Sequence, residues 1–135
     1  MNNLSFDEGL KELSINGDSN RIIRFNPCDP SITDRIEKAE KNIKDIEKNP
    51  DKQYIEKSIK EQINFILNAD CADIIFGATS PLAICSGGKF LFENVITAIV
   101  GYINSEMEKE LKKTKKNVEK YVKQVKKWLA FYQNR

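Results

Sequence analysis

The stretch from Asp70 to Glu93, DCADIIFGATSPLAICSGGKFLFE, constrains the fold of this chain more than any other feature. It lies between two segments with helical patterning, and it collects residues that interrupt helices: Gly77, Pro81, Gly87 and Gly88. Lys89 is the one charged residue between Asp73 and Glu93, in a chain of which 31% is charged. We therefore expect a buried, irregular central segment with helices on either side.

Length, charge and cysteine content narrow the class of protein. A chain of 135 residues fits a single domain, 1–135, and its net charge of +2 implies no general attraction to nucleic acid or membrane. The three cysteines form no CxxC pair and the chain has no histidine, which predicts no metal site, no cofactor and no catalytic motif. The start, MNNLSFDEG, is unlike a signal peptide, and no apolar run reaches the ~20 residues of a membrane span. We expect a non-enzymatic cytoplasmic protein.

The first 25 residues predict a β-hairpin. Apolar residues flank an Asn16-Gly17 step, which favours chain reversal because both residues tolerate positive φ. The polar residues that follow suggest a loop longer than two residues. A lone hairpin is marginal in water, so we expect its apolar face to lie on the helices or to meet another subunit.

Residues 30–76 predict a helical hairpin followed by a core turn. Asp29 is placed to cap the first helix, with Pro30 at its first position. Asn49-Pro50-Asp51 separates two apolar stripes: Ile32, Ile36, Ala39, Ile43 and Ile46, then Ile55, Ile59, Ile63, Ile66 and Leu67. Because the connection is short, the two helices should be antiparallel.

We expect the core to form where the helical hairpin meets the segment after it. Ile74, Ile75 and Phe76 should anchor it, with a central loop at 77–89 folded over Phe76, Phe92, Ile96 and Ile99. Cys71 and Cys85 have apolar neighbours and are expected to be small core residues.

The segment 90–132 predicts a long helix that bends at Gly101 or at Asn104-Ser105. The fold class is therefore mainly α (α+β). Beyond the bend, apolar residues recur at heptad spacing, and we predict that they bind a protein partner or another copy: Met107, Leu111, Val118, Tyr121, Val125 and Trp128. The alternative is that this seam folds back and is buried in its own domain.

Four blocks together resemble a family of small proteins from the tail-gene region of phages and prophages of Gram-positive bacteria: RFNPCDP at 24–30, CADIIFGATSP at 71–81, GGKFLFENVITAI at 87–99 and the end around KYVKQ. Members of that family look like tail assembly chaperones. The resemblance implies binding to the tape-measure protein and to tail-tube subunits in the host cytoplasm, without enzymatic activity.

A competing hypothesis is a small nucleic-acid-binding regulator. From Ser105 onward there are ten basic residues and four acidic ones, so the C-terminal segment is locally cationic. The segment carries no recognised binding motif, and its lysines would also keep a projecting helix in solution.

Overall fold

The computed structural model describes the backbone of residues 1–113 and 119–133, and the side chains of residues 1–113 and 123–131. The elements in chain order are β1 (Lys11–Ile15), β2 (Asp18–Phe25), α1 (Ser31–Ile46), α2 (Lys52–Leu67), α3 (Ala72–Phe76), α4 (Leu91–Leu111) and α5 (Glu119–Gln133). The predicted class, mainly α with an N-terminal β-hairpin, is confirmed.

The β-hairpin turns in two residues, so the longer loop expected from the polar run was wrong. Asn16 and Gly17 have φ of 52° and 76°, the left-handed pair that a tight hairpin requires. The polar residues instead enter β2. Pairing runs from Lys11 opposite Phe25 to Ser14 opposite Ile22, then shifts so that Ile15 faces Asp18. Arg21 lies in the stretch of β2 that this shift leaves out of register with β1.

The helical hairpin forms as the apolar spacing predicted. Asp51 caps α2 by accepting a hydrogen bond from the Gln53 amide at 3.0 Å. The predicted start of α1 is off by one residue: Pro30 is the N-cap, and Asp29 lies just before it, where its carboxylate accepts from the Ser31 amide at 2.9 Å. The stripes face each other as the main part of the core, with Ile32, Ile36, Ile59, Ile63 and Ile66 at most 1% exposed.

Residues of α2 and β2 hold α3 at both ends. The Asn64 side-chain oxygen accepts hydrogen bonds from the amides of Cys71 at 2.8 Å and Ala72 at 2.7 Å. At the other end, Arg21 Nε donates to the Ile74 carbonyl at 3.0 Å, and its Nη2 donates to the carbonyl of Ile75. These contacts fix the β-hairpin against the helices.

The central segment is less buried than its composition suggested. Cys71, Ile75, Phe76 and Pro81 are buried, whereas the loop residues from 83 onward are half-buried or exposed, and Ile84 is 75% exposed. The prediction of a buried segment was therefore wrong for most of the loop.

Two expected core anchors also differ. Ile74 is 38% exposed because α3 turns Ile75 and Phe76 inward instead, and Ile96 is half-buried on the side of α4 that faces α1. Phe92 and Ile99 are buried as predicted.

Helix α4 runs without interruption through Gly101 and Asn104-Ser105 to Leu111. The predicted bend was wrong because one glycine lowers helix stability by only about 1 kcal/mol, which packing on both sides of α4 offsets. The chain turns at Lys112 and Lys113 instead, and α5 packs against α4 and α1.

Candidate functional site

A cavity of about 830 Å³ opens between the β-hairpin, α3, the central loop and α4. We call it the hairpin groove, and its walls are mainly apolar: Leu13, Ile15, Ile23 and Phe25 from the β-hairpin, Ile84 from the central loop, and Leu91, Val95, Ala98, Ile99 and Tyr102 from α4. Alternation along the strands gives one wall, and helical spacing along α4 gives the other. The β-hairpin thus covers only part of the apolar side of α4.

Arg21 is the charged residue among the described residues that line the hairpin groove. Its side chain is half-buried and donates hydrogen bonds to the two carbonyls at the end of α3. It forms no ion pair with a described carboxylate. A half-buried guanidinium without an anion nearby favours a ligand that carries negative charge.

Tyr102, which lines the groove, and Cys28, which lies outside the lining, both have raised pKa values. Burial raises the pKa of Tyr102, and the Glu106 carboxylate and Cys28 add to the shift. Burial also raises the pKa of the Cys28 thiol, with Glu110 and Glu106 contributing. The ring of Tyr102 lies edge-on to Phe25, with centroids 5.9 Å apart. The two rings therefore add aromatic surface to the lining of the groove.

A second cavity, of about 810 Å³, lies on the opposite side of α4 beside α1. Apolar residues such as Phe92, Ile96 and Val100 form part of its lining, and charges of both signs form the rest: Glu40, Lys44, Glu47, Lys89 and Glu93. This mixture resembles a solvated surface more than a binding groove.

Four of the six predicted partner-binding side chains are described, and they lie where α4 and α5 pack together. Met107 and Val125 are buried, and Leu111 and Trp128 are half-buried. The indole Nε1 of Trp128 donates to Glu37 on α1. Val118 and the side chain of Tyr121 lie outside the described residues. In the described part of this segment, α5 folds back against α4 and α1, which is the second of the two alternatives.

A family model matches residues 19–135 of this chain. The chain belongs to DUF6673, a family of unknown function. Residues 1–18, which include β1, lie outside the match. No curated protein and no solved structure matches the chain significantly.

In this DUF6673 member, sequence reasoning found the walls of the groove but missed the groove itself. The sequence pattern indicated that the apolar face of the β-hairpin and the apolar face of α4 must each be buried against another part of the protein. Arg21 was missed because a lone arginine on a strand reads as a solvated residue. The register shift that turns it toward α3 has no signal in the sequence.

The described part of this DUF6673 chain contains neither a metal-binding cluster nor a membrane-spanning helix. Within residues 1–113 and 119–133, no group of three acidic or cysteine side chains is placed to hold a metal ion. In the same ranges, no helix is both long and apolar enough to cross a membrane.

Proposed function

We propose that this chain is a non-enzymatic tail assembly chaperone of phages or prophages of Gram-positive bacteria, acting in the host cytoplasm. In this proposal it binds a helical segment of the tape-measure protein and brings tail-tube subunits to it. The observation that supports it best is the hairpin groove, an open apolar surface on a small domain. The resemblance of the four sequence blocks to tail-region proteins supplies the identity of the partner.

The shape and lining of the groove suit an amphipathic helix. Such a helix presents apolar side chains at positions i, i+3 or i+4 and i+7, and a partner holds it by burying that face. The wall from α4 offers Leu91, Val95, Ile99 and Tyr102 along about 16 Å of helix, or roughly three turns. A tape-measure protein is long and largely helical, so its unassembled segments present faces of this kind.

Binding through the predicted seam at the C-terminal end stays a separate prediction. Because Met107 and Val125 are buried, that mode would require α5 to leave α4 and α1. The hairpin groove needs no such rearrangement.

The test is co-purification of the tape-measure protein from cells that express both chains, with a charge placed in the groove. Ala98 is an exposed groove residue of α4, so Ala98→Glu should leave the fold intact and reduce the recovered tape-measure protein at least tenfold. Ala130→Glu is the matched control, an exposed alanine on α5 away from the groove. Equal recovery with both variants would contradict the proposal.

The alternative function, nucleic-acid binding, is favoured by one observation: Lys123, Lys126 and Lys127 are all exposed on α5. It predicts binding to DNA or RNA that falls steeply between about 50 and 200 mM salt. The double variant Lys126→Gln with Lys127→Gln should then weaken binding and reduce its dependence on salt. Absence of binding at low salt would exclude this function.

A further inference from the structure

The N-terminal arm, residues 1–10, is the most exposed apolar segment among the described residues. It precedes β1 and contains no helix or strand, and its Leu4, Phe6 and Leu10 are 84%, 69% and 53% exposed. Single exposed apolar residues are ordinary, but three within seven positions form a surface that association would bury.

The arm and the hairpin groove have complementary charge. Asp7 and Glu8 are the charged side chains of the arm, and neither forms an ion pair with a described cation. Arg21 is the charge of the groove and has no carboxylate partner among the described residues. An apolar segment with two carboxylates therefore matches an apolar groove with one guanidinium.

Their lengths also match. An extended chain rises about 3.3 Å per residue, so the segment from Leu4 to Leu10 spans about 20 Å. The wall of α4 from Leu91 to Tyr102 is about 16 Å long.

No residue of the arm is among the described residues that line the hairpin groove of its own chain, and a local anchor fixes the base of the arm at Glu8 and Gly9. Asn26 Nδ2 donates to the Glu8 carbonyl at 2.9 Å. The same Asn26 side chain fills the space beside Gly9, where a Cβ would lie 2.8 Å from Nδ2 and where φ is 74°. Glu8 is thus held beside Asn26, which follows β2 and lies five positions, about 16 Å of extended chain, beyond Arg21, so the Glu8 side chain does not reach the guanidinium of its own chain.

We propose that the hairpin groove of one copy takes the N-terminal arm of a second copy, with Leu4 and Phe6 in the apolar part and an arm carboxylate on Arg21. A tape-measure helix would occupy the same groove and would have to displace the arm, but the two proposals are tested separately. A monomeric protein contradicts this one and leaves the chaperone proposal standing, whereas equal recovery of tape-measure protein with Ala98→Glu and Ala130→Glu contradicts the chaperone proposal and leaves this one standing.

Analytical ultracentrifugation of the full chain tests it. Wild-type protein should associate reversibly between about 1 and 100 µM, and Phe6→Ser should raise the dissociation constant at least tenfold. Phe131→Ser is the matched control, because Phe131 on α5 is 71% exposed against 69% for Phe6. Its dissociation constant should stay within about twofold of wild type.

The charge pairing is tested by the double variant Asp7→Asn with Glu8→Gln, which should weaken association about tenfold and lower its dependence on salt. Ala98→Glu should block binding of a labelled peptide with the sequence MNNLSFDEGL to the full chain. The proposal is wrong if wild-type protein is a monomer at 100 µM, if Phe6→Ser and Phe131→Ser associate equally, or if the peptide binds Ala98→Glu as well as wild type.

Discussion

The two hairpins of this protein differ in how completely their apolar faces are covered. In the helical hairpin, α1 and α2 place isoleucines opposite each other, and Ile32, Ile59 and Ile63 are fully buried. The β-hairpin faces α4 across a groove, and Ile84 at its edge is 75% exposed. Two helices of equal length cover each other with a short connection, whereas a two-stranded sheet is too small to cover a helix of 21 residues. The difference indicates that the helical hairpin supplies stability and the β-hairpin supplies a surface.

The largest effect that separates the covered helical hairpin from the open groove is the truncation of one isoleucine in the hairpin and one at the edge of the groove. Ile63→Ala should lower the free energy of unfolding by about 2 to 5 kcal/mol, because it leaves a cavity in a fully buried site. Ile84→Ala should change it by less than about 0.5 kcal/mol. Half-buried Ile96→Ala should fall between them, as measured by urea denaturation. Similar losses at Ile63 and Ile84 would show that the groove is closed in solution.

Cys71 offers a pH-dependent measure of the covered region. Burial, with a contribution from Asp70, raises the pKa of its thiol to about 11, against an ordinary value of 9.0. The folded state therefore keeps the proton in a range where the unfolded chain loses it, and stability should fall as pH rises from about 9 to about 11. The loss should reach about 2 kcal/mol.

The control for Cys71 is the variant Cys71→Ala, whose own small packing loss does not vary with pH. The difference between wild type and variant should shrink through this pH range. A constant difference would mean that the thiol is solvated in the native state.

Trp128 tests whether α5 belongs to the covered region. Its indole donates to Glu37, so Trp128→Phe removes that hydrogen bond while keeping an aromatic ring. We expect a loss of about 1 kcal/mol, and a much smaller loss when Glu37→Ala has already removed the acceptor. Equal losses in both backgrounds would mean that Trp128 acts by packing alone.

The smallest effect is expected on the outer face of the β-hairpin. Glu12 and Arg24 pair at 2.9 Å, but their side chains are 57% and 68% exposed, so solvent screens the attraction. Glu12→Gln should change the free energy of unfolding by less than about 0.5 kcal/mol in thermal melts. A larger loss would show that this face is covered, for example by another copy.

The sequence predicted those features that depend on neighbouring residues. The isoleucine stripes, the cap at Asp51 and the turn at Asn16-Gly17 all act within a few positions, so local propensity and periodicity reveal them. The groove and the position of Arg21 depend on how the β-hairpin packs against α3 and faces α4. No local sequence pattern specifies that packing.

The end of α4 shows the same limit. Residues 112–117, KKTKKN, contain no glycine or proline, and the heptad spacing continues through them. Local reasoning therefore extended the helix, and it placed the bend at Gly101, where none occurs. The burial of Met107 and Val125, where α5 packs against α4, is a tertiary effect that local propensity does not reveal.

The short helix α3 has a consequence for hydrogen exchange. Five residues are too few to hold a helix in water, so its amides are protected only while Asn64 and Arg21 hold its two ends. The Gly77 amide donates to the Asp73 carbonyl at 2.9 Å, directly beyond the carbonyls that Arg21 holds. Its exchange rate should therefore follow local opening of the β-hairpin rather than global unfolding. The rate of deuterium uptake at the Gly77 amide would report how often β2 separates transiently from α3. Equilibrium melting curves do not resolve such local openings.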